Sequence, residues 1–163
     1  MISAAMMDTF AQCDYVQVMN MGTGSYLTQN WDEGNCLSIN LMSEASPQSQ
    51  FVYSMNEESS SLWTKADPSI AMSFDGQNVV CSSDPAETMK LDLIPFSEGD
   101  VDQGYMIEVI GEQPRFLSTQ YGNELRALIS LESLEDMKMY ATESGDQSSQ
   151  WQVTCHTEVE ETI

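Results

Sequence analysis

Tyr15-Val16-Gln17-Val18, Trp63-Thr64-Lys65-Ala66, Tyr105-Met106-Ile107-Glu108 and Trp151-Gln152-Val153-Thr154 each open on a large aromatic and continue as a short strand-like phrase. The aromatics stand 48, 42 and 46 residues apart. A recurrence in the forties marks one supersecondary unit repeated along the chain. On this reading each ring occupies an equivalent position and plugs a shared core, contributing about 1.5–3 kcal/mol by burial.

Three further short apolar segments lie in each interval. The first unit has Ser25–Thr28, Cys36–Leu41 and Phe51–Met55. The second has Ser69–Met72, Asn78–Cys81 and Met89–Ile94, and the third has Arg115–Ser118, Leu125–Ile129 and Met137–Tyr140. Period-two alternation with β-branched and aromatic residues fits half-buried strands. The breaks carry turn chemistry, as in Gly22-Thr23-Gly24, Asp32-Glu33-Gly34-Asn35, Asp75-Gly76, Asp84-Pro85 and Gly122-Asn123. No stretch offers a helix of three turns. The expectation is an all-β domain of three four-stranded units, with the Trp151 strand as a thirteenth that returns to the first. Closure of such an array removes exposed sheet edges.

The unit length and the phrases Ser61-Leu62-Trp63, Gln103-Gly104-Tyr105 and Ser149-Gln150-Trp151 resemble the β-trefoil, and specifically the ricin-B-like lectin family with its Gln-x-Trp repeats. Only Gln103 stands where the family has Gln, and there Tyr105 replaces the Trp. The resemblance covers roughly residues 15 to 156. It divides the chain into an N-terminal extension (1–14), one trefoil domain (15–156) and an acidic tail (157–163).

Charge limits the partners. Against 26 Asp and Glu stand 5 Lys and Arg, a formal net of −21 in 163 residues. Such a surface repels nucleic-acid phosphates and anionic lipid heads over a Debye length of about 8 Å at physiological salt. No apolar run reaches eighteen residues, so no membrane insertion is expected. The acids are scattered, which favours a solvating role over a dedicated basic-partner surface.

Cys13, Cys36, Cys81 and Cys155 show no metal-ligand spacing. Cys13 precedes the first repeated strand and Cys155 lies in the last, so this pair can bridge the chain ends; four free thiols in a reducing compartment is the alternative. Met1–Asp14 lacks the charge and apolar core of a secretion signal. The compartment stays between secreted and cytoplasmic, with secretion favoured.

Catalysis has little support. His156 is the single histidine, and no nucleophile motif accompanies it. Asp100 and Asp102 alternate like calcium ligands, but the loop Ser97–Gly104 misplaces the glycine and the closing glutamate of an EF-hand, and reads as an acidic hairpin. No cofactor or metal is expected.

Sugar binding fits better. It needs a flat ring against the C–H face of the sugar and an acid or amide taking its hydroxyls. The resemblance implies an Asp after the first inner strand of each unit and an aromatic on a later one. Carried over, unit one offers Trp31, Asp32, Tyr53 and Asn56. Unit two offers Asp75, and unit three offers Tyr121, Asn123 and Tyr140. Trp31 reads as part of a Gln-Asn-Trp-Asp-Glu-Gly turn, and Asp75 also reads as an Asp-Gly turn residue. The function implied is a non-catalytic carbohydrate-binding module whose partner is a glycan or glycoprotein. The alternative is a protein-binding trefoil such as a protease inhibitor or receptor ligand, with an actin-type cytoskeletal binder ranked last. One shallow sugar pocket gives about 4 kcal/mol, a millimolar constant. Avidity would then require several sites or a homo-oligomer.

Overall fold

A computed structural model describes residues 10–56, 59–75, 78–98, 101–111, 115–120, 124–129 and 149–157. Its strands fall into three sets of four. The first set is β1 (Tyr15–Asn20), β2 (Tyr26–Asp32), β3 (Asn35–Met42) and β4 (Phe51–Met55). The second is β5 (Ser60–Thr64), β6 (Ala71–Phe74), β7 (Val79–Ser82) and β8 (Leu91–Glu98). The third is β9 (Val101–Val109), β10 (Arg115–Gln120), β11 (Glu124–Ile129) and β12 (Trp151–His156).

The first and fourth strands of each set pair antiparallel in a closed ring, β1–β4–β5–β8–β9–β12 and back to β1. The second and third strands of each set form a hairpin: β2–β3, β6–β7 and β10–β11. A six-stranded barrel carrying three hairpins is the β-trefoil that the resemblance implies. Closure leaves the barrel without an edge strand. Among the described residues the Trp151 strand is the twelfth, and it takes the fourth place in the third set. The segment Met137–Tyr140, expected as a strand, lies outside the described residues.

Register gives the pseudo-threefold relation directly. Within each set the first strand meets the fourth at Val16↔Phe51, Ser60↔Leu91 and Tyr105↔Trp151. The fourth strand meets the next set at Phe51↔Thr64, Leu91↔Val109 and Trp151↔Asn20. Phe51, Leu91 and Trp151 are therefore equivalent, and each is fully buried. They plug the barrel, with Val16, Leu62, Ile107 and Leu117 packed in the same cluster. The Trp151 indole N–H donates to the Leu117 carbonyl at 3.0 Å, so its one polar atom is satisfied in the core.

This corrects the sequence reading of the four aromatics. The period is real, but the rings do not share one position. Trp63 sits between inward Leu62 and Thr64 on the outer face of β5, half-buried, with its N–H on the Ser61 hydroxyl at 2.9 Å. Tyr15 likewise faces outward and stacks on His156 with ring centroids 4.7 Å apart. Tyr105 occupies the position of Val16 and Ser60 and packs edge-on to Phe10. Only Trp151 is a fully buried plug.

One glycine is required where β9 passes β12. Gly104 holds φ at +80°, and a Cβ there would collide with the Trp151 carbonyl and lie 2.8 Å from the Met21 sulfur. No other residue combines that backbone with that approach. Between β2 and β3, Glu33 and Gly34 both take positive φ, 49° and 81°. That is the pair of left-handed residues a two-residue hairpin turn needs.

All four cysteines are paired. Cys13–Cys155 joins the segment before β1 to β12 with Cα atoms 5.5 Å apart, and Cys36–Cys81 ties β3 to β7 at 5.7 Å. The first is the chain-closing bridge weighed above. The second was not anticipated, and it becomes apparent only once β3 and β7 are known to be neighbours through Ser38↔Val80.

Asp92 on β8 stands directly opposite Glu108 on β9. Burial raises the Asp92 carboxyl above its ordinary range, and burial followed by the Asp92 charge raises Glu108. The raised folded-state values mean that the native chain holds these protons more tightly than the unfolded chain. Their stabilising effect is complete below the unfolded carboxylate range, near pH 4, and is lost as pH climbs through the raised values. Directly opposed like charges cost about 0.2–1 kcal/mol. Asp92→Asn is expected to raise the thermal midpoint at pH 7 by about 1–3 °C, the scale for a domain of this size. The gap from wild type should close by about pH 4. Calorimetry across that range checks it; a gap that stays constant with pH contradicts it.

Candidate functional site

The β2–β3 hairpin of the first set and the connection from β3 to β4 enclose a cleft of about 390 Å3. The strand pleat places its walls. On β3, Ile39 and Leu41 point into the core, so Asn40 and Met42 point out. Met42 is 55% exposed and gives the cleft a flexible apolar side. The connection supplies Glu44 and Gln48, leading into the 3-10 turn Pro47–Ser49. Within this turn the Ser49 hydroxyl accepts from the Ser46 N–H and donates to the Ser46 carbonyl, which fixes the rim.

The β2 wall is anchored by its own hydrogen bonds. The Thr28 hydroxyl donates to the Tyr26 carbonyl at 2.9 Å. Gln29 donates to the Gln50 carbonyl at 2.7 Å and accepts from the Trp31 indole at 2.9 Å. Asn40 donates to the Ser38 hydroxyl at 3.2 Å, leaving its carbonyl oxygen directed by that contact. Asn30, Gln48 and Glu44 complete a set of amide and carboxylate groups on a shallow wall. Such a wall can accept and donate to vicinal hydroxyls. It lacks a stacking ring of its own.

The residues expected from the sequence separate. Trp31 and Asp32 are not in a turn but end β2, beyond a β-bulge between Asn30 and Trp31. Trp31 is half-buried and tied to the cleft wall through Gln29. Asp32 is exposed. Tyr53 is a core residue, 3% exposed, hydroxyl to hydroxyl with Ser60 and ring edge-on to Phe10. It offers no ring face to a ligand, which corrects its assignment as a stacking residue. Burial is the main reason its phenol is held above the ordinary range; the Ser60 bond opposes this and the Asp92 charge adds to it. Asn56 lies in the turn from β4 to β5 and accepts from the Ser59 N–H at 3.0 Å, on a different connection from the β2–β3 hairpin. Asp75 accepts from the Asn78 N–H at 2.6 Å and serves the β6–β7 turn. Tyr121, Asn123 and Tyr140 lie outside the described residues.

Asn40, Met42, Glu44 and Gln48 line the cleft but are not among the residues that the sequence singles out. The alternation of β3 carries the signal for the first two, since inward Ile39 and Leu41 force their neighbours outward. Among the described residues no group of three His, Cys, Asp or Glu is placed to hold a metal ion.

Solved structures share this architecture. SeviL, in a structure bound to asialo-GM1 saccharide, matches with a TM-score of 0.62 at 12% identity, over 88% of this chain and 98% of that one. The Macrolepiota procera ricin B-like lectin, in complex with lactose, matches at 0.61 and 10% identity, over 88% and 95%. A GlcNAcα1-4Gal releasing endo-β-galactosidase from Clostridium perfringens matches at 0.59 and 12%, over 86% of this chain but 32% of the enzyme. No protein-family profile matches the sequence, and no curated protein matches it by sequence. The chain has the β-trefoil fold of the ricin-B-like lectins.

Proposed function

We propose that the protein is a non-catalytic, lectin-like module that binds neutral glycans weakly in the first-set cleft. The observation that carries this reading is the cleft itself, where outward Asn40, Met42 and Gln48 converge beside Asn30 and Glu44. The trefoil likeness to two saccharide-bound lectins supports it. Amides and Glu44 take the hydroxyls, and the Met42 side chain lies against the C–H face. Without an aromatic wall the affinity per site falls in the millimolar range, about 4 kcal/mol. Function at a glycoprotein surface then depends on multivalent display.

A glycan array probed with the protein clustered on beads tests this. Binding to a subset of neutral sugars is expected, weakened at least tenfold in an Asn40→Ala/Gln48→Ala variant whose unfolding midpoint is unchanged. Failure to bind any sugar at high valency, or full binding by the variant, overturns the reading.

A further inference from the structure

A second cleft, of about 590 Å3, opens where the second set meets the third. One wall is the stretch from Ala86 to Lys90, leading into β8; the other is Val109–Gly111 and Arg115, where β9 passes to β10. Two of the chain's 5 basic residues, Lys90 and Arg115, therefore line one cavity in a molecule of net charge −21. The Arg115 guanidinium lies over the Phe74 ring, 4.8 Å from its centroid. A guanidinium held over a ring by its π-face attraction can still offer N–H donors to a planar, two-oxygen acceptor.

The acidic neighbour does not occupy these cations. Glu87 accepts from the Ser82 hydroxyl at 2.8 Å. Among the described residues neither Lys90 nor Arg115 has an ion-pair partner. Ile110, 42% exposed, adds an apolar surface beside the charges. Cations and an apolar side match a ring that carries a carboxylate at one end and a C–H face along another.

We propose that this inter-repeat cleft binds a small carboxylate-bearing saccharide, a hexuronate being the simplest case. Arg115 and Lys90 take the carboxylate and Ile110 lies under the ring. The site is separate from the first-set cleft and shares none of its residues, so either proposal can fail alone.

Titration of the full chain with glucuronate, followed by amide chemical shifts, tests it. Saturable shifts at Lys90, Ile110 and Arg115 are expected in the millimolar range, with glucose silent there and acetate at least tenfold weaker. Lys90→Gln and Arg115→Gln should each weaken glucuronate at least tenfold while leaving the unfolding midpoint and the shifts of the first-set cleft in place. Equal binding of glucose or acetate, non-saturating shifts, or undiminished binding by Arg115→Gln overturns the assignment.

Discussion

Trp151→Ala is expected to cost about 3–5 kcal/mol, the range for deleting a fully buried large aromatic. Two losses combine at this position: the ring fills the barrel within the core cluster that holds Leu117 and Leu91, and its N–H satisfies the Leu117 carbonyl. Removing the indole leaves a cavity and an orphaned carbonyl in one step. Trp63→Ala removes the same atoms from the outer face of β5, where the ring is only partly buried. Its expected cost is about 1 kcal/mol or less, closer to the behaviour of surface positions. Urea unfolding followed by far-ultraviolet circular dichroism separates the two, since neither variant then relies on indole fluorescence. Equal costs would mean the inward and outward assignments are wrong.

Removing the Cys13–Cys155 bridge is the second large effect. It closes a separation of 142 residues, against 45 for Cys36–Cys81. In the chain-entropy account the stabilisation grows with loop length, to about 5 and about 4 kcal/mol here, with native bridges in practice contributing about 2–5. The long bridge also pins the ladder in which β1 and β12 pair from Tyr15↔His156 to Asn20↔Trp151. Cys13→Ser/Cys155→Ser is therefore expected to lower the thermal midpoint by about 5–15 °C. Cys36→Ser/Cys81→Ser should lower it less. Calorimetry of the two double variants gives the ranking, and a reversed order or no change in either contradicts it.

Much of the architecture was legible because local alternation and turn residues agree with the global fold. Phe51–Met55 was read with its observed bounds, and Cys36–Leu41 and Arg115–Ser118 fall within β3 and β10. The threefold period was legible too, but not its phase. Val16, Ser60 and Tyr105 share one position in the barrel yet share no chemistry, so no residue type marks it. Large rings attract attention wherever they fall, and Trp63 lies one residue off the inward face that Leu62 occupies. Tyr53 was misassigned for the same reason, since an aromatic on an alternating strand is inward or outward by register alone. The first-set cleft escaped notice because its walls are amides, a methionine and a carboxylate, contributed by two strands and a connection that meet only in the folded chain. The Cys36–Cys81 pairing likewise depends on hairpins that are distant in sequence.

The threefold barrel requires Phe51, Leu91 and Trp151 to be one position written three times. Side-by-side urea unfolding of Phe51→Ala, Leu91→Ala and Trp151→Ala, with Trp63→Ala alongside, tests it most directly. Each of the first three should lose about 2–5 kcal/mol, and Trp63→Ala should remain close to wild type. If Trp63→Ala is as damaging as the others, or any of the three plugs can be removed without loss, the threefold barrel described here is wrong.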